Sequence, residues 1–182
     1  MPRVGETIEN PAMGARLRFR RIASEAAGSV LEFDFFLAPG GVIAVDHLHP
    51  HQEERFEVVA GAVRGHVAGE PQALGVGGVS VVAPGVPHAW RNAADGETHL
   101  RVQFRPALAT AEMFDAVFAL ARAGRADACG VPRFPERLAF LAAFPDELRP
   151  AGMPAVTHRV LTRALAPFGR RLRRPQSMPR RK

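Results

Sequence analysis

The chain has 182 residues, 47% of them hydrophobic, with 16 prolines, 17 glycines and a formal net charge of +6. That length suits one domain with an appendage and is enough to bury a core, while the many turn residues argue against a long helical bundle. The single cysteine, Cys129, excludes an internal disulfide, and no window approaches the ~18 apolar residues of a spanning helix, so a soluble, cytoplasmic protein is expected.

Residues 1–14 read as an N-terminal arm without the apolar core of a secretory signal. From Ala15 the pattern is strand-like: Arg16, Leu17, Arg18, Phe19 and Arg20 alternate with period two. After a break at Ala27-Gly28, Val30 to Leu37 alternates again and puts Leu31, Phe33, Phe35 and Leu37 on one face. Further strands are expected over Val42–Val45, Phe56–Ala60, Ala62–Val67, Val79–Ala83, His88–Arg91 and Thr98–Phe104. Turn residues separate them, including Pro39-Gly40-Gly41, Gly61, Pro84-Gly85-Val86-Pro87 and a Gly/Pro-rich connection over 68–78. About eight short strands at this spacing predict an antiparallel barrel or sandwich over 15–106.

Pro106 ends that pattern, and a helical extension is expected over 107–168. Its helices are Ala107–Ala123, with Met113, Phe114, Val117, Phe118 and Ala121 at helical spacing, then Glu136–Phe144 and Pro154–Ala166. The last stretch, 169–182, holds seven basic residues and no Asp or Glu, so without it the chain carries −1. The basicity belongs to this tail, read as a solvated, disordered terminus; weak contact with an acidic membrane surface is its alternative reading. No helix-turn-helix with a recognition helix is present, so nucleic acid is not an expected partner.

The chemistry concentrates in DHLHPHQEERFEVVAG, residues 46–61. His47 and His49 are two apart in an extended segment and share a face, Glu54 heads the next strand, and His88 opens a strand after a tight turn. Three imidazoles and a carboxylate suit a borderline divalent transition metal (Fe, Mn, Ni, Cu, Zn or Co) with positions left open for a substrate. The alternative is a metal-free pocket of hydrogen-bonded polar residues. Glu53 competes with Glu54 for the carboxylate role, and His51, between Pro50 and the bend, reads as a loop residue.

The spacing Gly41-x5-His47-x-His49-x4-Glu54-x6-Gly61 resembles the first motif of the cupin superfamily completely. Gly77-x5-Ala83-x-Gly85-x2-His88-x3-Asn92 resembles the second, with Ala83 where the family usually has Pro and Pro84 next along. The resemblance implies a mainly β protein, an antiparallel double-stranded β-helix (jelly-roll), with His47, His49, Glu54 and His88 as metal ligands and Glu54 selected over Glu53 by the run to Gly61. It also implies a homodimer, and it leaves open dioxygenases, isomerases, cyclases and non-catalytic binding or sensing modules.

For the substrate pocket, Phe56 shares the face of Glu54, and Trp90 lies two residues from His88. On the last strand His99, Arg101, Gln103 and Arg105 form one face and Leu100, Val102 and Phe104 the other. If the polar face turns inward, Arg101 and Gln103 would hold an anionic substrate. A small, mostly apolar or aromatic molecule is the expected ligand.

Overall fold

The structure is a computed structural model that describes residues 2–25, 28–170 and 172. Most of the basic tail, at 171 and 173–182, lies outside the described residues.

Ten strands make the body: β1 (Thr7–Asn10), β2 (Ala15–Glu25), β3 (Gly28–Leu37), β4 (Val42–Leu48), β5 (Glu53–Ala60), β6 (Val63–Val67), β7 (Glu70–Leu74), β8 (Val79–Val82), β9 (His88–Asn92) and β10 (Thr98–Arg105). Helices α1 (Thr110–Arg122) and α2 (Glu136–Ala143), the short strand β11 (Arg149–Pro150) and helix α3 (Ala155–Gly169) follow. A six-stranded sheet runs β1-β2-β3-β10-β5-β8 and a five-stranded sheet β11-β4-β9-β6-β7, with every pairing antiparallel. This is the β architecture with a helical C-terminal extension that the alternation predicted.

The inward positions are those the period assigned. Leu17, Phe19, Leu31, Phe33, Phe35, Leu37, Leu100, Val102 and Phe104 are all buried in one core shared with Ile43, Val63 and Trp90 of the other sheet. Phe33 is its hub, with Phe104 stacked on it at 6.1 Å and Phe19, Phe35 and Phe114 meeting it edge-on. Such pairs add about 0.5–1.5 kcal/mol each beyond the area they bury.

Two strands of the body, besides the short β11 in the extension, escaped the sequence pattern. β1 lies in the expected arm; burial of Ile8 and Asn10 against β2 fixes it. β7 lies in the Gly/Pro-rich connection, paired with β6 through a turn at Ala68 and Gly69. Pro71 is tolerated there because β7 is the edge of its sheet and need not donate on that side. The motif glycine Gly61 has φ +81°, and a Cβ on it would strike Thr98. The motif asparagine Asn92 donates to the carbonyls of Leu37, Ala38 and Gly96 and accepts from Thr98 Oγ1 at 2.6 Å, tying three turns together.

The extension covers one end of the two sheets. Phe114 and Phe118 of α1 meet Phe33, Phe35 and Phe104 at ring distances of 5.0–6.4 Å. β11 adds to the edge of β4, with Arg149 opposite Leu48 and Pro150 opposite His47. α3 packs on α2, and the backbone of Gly169 lies so close to Ala142 and Ala143 that any Cβ would collide.

Candidate metal centre

β4 and β9 are paired at Ile43–Trp90 and again at His47–His88, with a bulge in β4 between. The bulge sets His47 directly across from His88. His49 follows two residues on, and Glu54 sits at the start of β5 on the face shared by Gln52, Phe56 and Val58, all buried. The turn before His88 is fastened by Gly85 N–H donating to the His49 carbonyl at 2.8 Å, so Ala83 and Pro84 make it without the usual proline.

His47, His49, Glu54 and His88 are all buried, and one ligand atom from each lies within 4.8 Å of the others. The arrangement fits a cation. Each imidazole gives its Nδ1 proton to a carbonyl: His47 to Val45 at 2.9 Å, His88 to Val86 at 3.1 Å and His49 to Glu147 at 2.5 Å. These acceptors assign the tautomer and leave Nε2 as the inward atom on all three rings. Glu54 Oε2 lies 2.8 Å from His88 Nε2 and 3.1 Å from His49 Nε2, and His47 Nε2 lies 3.2 Å from His49 Nε2. In the neutral rings these are converging lone pairs with no proton between them, the electron distribution a divalent ion satisfies.

The electrostatics agree. Burial, then the neighbouring His49 and His88, pushes His47 down to about 3, so it is neutral at any ordinary pH. Burial would raise Glu54, but His49 and His88 outweigh it and hold the carboxyl below its usual range. Burial also opposes the His88 cation, but the hydrogen bond and charge of Glu54 raise it. When His88 is protonated, its Nε2 donates to the Glu54 carboxylate at 2.8 Å.

His47, His49 and Glu54 line a cavity of about 300 Å³ walled by both sheets and the extension, with His88 behind them. Phe35, Ile43 and Phe104 contribute from the strands, and Phe114, Phe118 and Leu141 from α1 and α2. Asp127 and Arg137, 3.8 Å apart, are charged side chains on its wall, and Cys129 lies there too.

The expected pocket residues are placed differently. Phe56 and Trp90 are buried behind the cluster, with ring centroids 5.8 Å apart and Phe56 6.1 Å from His88, and they do not line the cavity. Arg101 and Gln103 are on the outer face of β10, because Leu100, Val102 and Phe104 occupy the inner one; Gln103 faces Glu32. His51 is exposed 3.7 Å from Asp146, and Glu53 is exposed.

Sequence reasoning missed two residues. Gln52 is fully buried and donates to Pro106 O, Ala107 O and Thr110 Oγ1, tying the histidine loop to the start of α1. Its two-residue offset from Glu54 was the available signal. Glu147 orients His49 through its carbonyl and accepts from Ala109 N–H through Oε1 at 3.0 Å. Nothing local marks it, since its partners lie 98 and 38 residues away.

Residues 33–103 match the family model of the cupin domain. This protein carries a cupin domain over those residues. Among solved structures, this cupin is similar to an uncharacterized conserved protein with a double-stranded β-helix domain from Klebsiella pneumoniae (22% identity, TM-score 0.45), covering 60% of this chain and 84% of that one. It is also similar to an RmlC-like cupin from Shewanella frigidimarina (21%, TM-score 0.46, 53% and 80%). A third is a sugar phosphate isomerase from Silicibacter pomeroyi (19%, TM-score 0.44), of which this cupin covers 60% and which covers 51% of this chain. These likenesses concern the fold, and no activity follows from them. No curated protein matches the sequence.

Proposed function

We propose that this cupin is a metal-dependent enzyme acting on a small, mostly apolar or aromatic molecule that carries a carbonyl or similar oxygen donor. The observation that carries the reading is the convergence of four buried ligand atoms, three of them on residues that line an otherwise largely apolar cavity of about 300 Å³.

A divalent metal held by His47, His49, Glu54 and His88 would supply either a redox centre for dioxygenase-type chemistry or a Lewis acid for isomerisation or cyclisation. One anionic and three neutral ligands leave a net charge of about +1, which favours an anionic or enolate-like substrate form. The carbonyls of Val45, Val86 and Glu147 hold the imidazoles in place, and the phenylalanines of β3, β10 and α1 exclude water and position an aromatic body.

The test is metal content by mass spectrometry on tag-free protein, for the wild type and for His49→Ala and Glu54→Ala. Near-stoichiometric metal lost in both variants supports the reading. Iron directs the substrate search to O2 uptake, whereas zinc, nickel or manganese directs it to isomerase and cyclase assays. A wild type that stays metal-free after reconstitution with Fe(II), Mn(II), Ni(II) and Zn(II) refutes it in favour of a non-catalytic small-molecule-binding module.

A further inference from the structure

Residues 148–182 contain ten Arg or Lys and no Asp or Glu. The whole chain is +6, so residues 1–147 carry −4. Positive charge is thus segregated to one end of the chain, opposite in sign to the rest.

α3 is the element through which that end meets solvent in the described residues. Its buried positions, His158, Thr162 and Gly169, turn toward the body. The opposite side is apolar and exposed: Val156 is 74% accessible, Val160 64% and Phe168 58%. Ala164 and Pro167 are exposed between them. At helical pitch Val156, Val160, Ala164 and Pro167 fall within an arc of about 80°. Arg159, Arg163 and Arg170, all exposed, occupy the adjoining arc on one flank. Leu161 and Leu165 are half-buried toward the body and take no part in this face.

We propose that this face of α3 docks on an anionic lipid bilayer, with the Val156–Val160–Phe168 stripe entering the headgroup boundary and the arginine flank meeting lipid phosphates. Surface-lying helices combine an apolar stripe with flanking cations in this way. Each Arg or Lys of the sequence that follows adds attraction to the anionic surface, and the negative charge of residues 1–147 turns the rest of the molecule away. A nucleic acid would use the cations but gain nothing from exposed valine and phenylalanine. A second copy would bring two cationic flanks together with no carboxylate on α3 to balance them.

The experiment is co-sedimentation of the full chain with vesicles of phosphatidylcholine alone or mixed with phosphatidylglycerol. Binding is expected only to the anionic vesicles, weakening as salt rises, and reduced at least about tenfold by Val160→Asp and by Arg159→Glu/Arg163→Glu. Both variants change exposed side chains, so unchanged circular dichroism and metal content confirm their fold. No binding to anionic vesicles at low salt overturns the proposal, and so does binding that Val160→Asp leaves unchanged. An oligomer that Val160→Asp dissociates, or capture of a DNA oligonucleotide in place of vesicles, overturns it in favour of a second copy or a nucleic acid.

Discussion

Each histidine of the candidate cluster commits its Nδ1 proton to a backbone carbonyl, so the set of Nε2 atoms and Glu54 is what a metal would meet. His47, held near 3, does not compete with a metal through protonation. His88 does: Glu54 raises its pKa, which stabilises the protonated, metal-free protein below that value. Metal must displace this proton, so affinity is expected to rise with pH through the raised pKa of His88, by about tenfold per unit while one proton is exchanged, and to level off above it. Calorimetric titration with Zn(II) in buffers of different ionisation enthalpy counts that proton directly; uptake without proton release below the raised pKa would refute it. At this scale the sequence was most legible, because the ligand spacing is local. It placed His47, His49, Glu54 and His88 on facing strand ends, where they meet. It gave Arg101 and Gln103 two faces to choose from, and the choice belonged to the apolar neighbours that fill the core.

At the scale of elements, β3, β10 and α1 converge on Phe33, which touches four other phenylalanines. Phe33→Ala removes that hub and is expected to cost about 3–5 kcal/mol by urea denaturation. A loss under 1 kcal/mol would mean the core collapses into the gap. The link from α2 to β11 does different work. Glu147→Ala frees Ala109 N–H from its acceptor and loosens the carbonyl that orients His49. Weakening such an outer contact typically lowers metal affinity by about 10–100-fold, here expected with little change in the sheets. Competition with a chromogenic chelator measures it, and an unchanged dissociation constant would assign Glu147 to the packing of α1 alone. Helices α1, α2 and α3 were legible from apolar spacing and proline placement, whereas β1 and β7 were not. A four-residue strand with one apolar residue, or a five-residue strand with a proline in it, forms only because a partner strand is waiting.

Over the whole molecule, the extension turns an open end of the β body into a roofed cavity lined by His47, His49 and Glu54 of the candidate metal cluster. Val117 of α1 lies on that roof, half-buried. Val117→Trp is expected to fill much of the 300 Å³ and abolish small-molecule binding while leaving metal content intact. Parallel metal analysis and turnover assays separate the two, and retained turnover would place the substrate elsewhere. The homodimer implied by the cupin resemblance is expected as a doubled mass in light scattering, and a monomer refutes it. Among the described residues no helix is long and apolar enough to cross a membrane, so the contact proposed for α3 is one of surface docking.

The sequence by itself determined the strand periodicity, the inward faces, the turn glycine at Gly61 and the four candidate ligands, because each rests on residues close along the chain. Only the tertiary structure decided what surrounds them. The carbonyl that orients His49 comes from Glu147, the strand beside His47 comes from β11, and the cavity roof comes from α1 and α2. These depend on contacts between residues dozens of positions apart, and no local pattern encodes which apolar stripe will close over which open end.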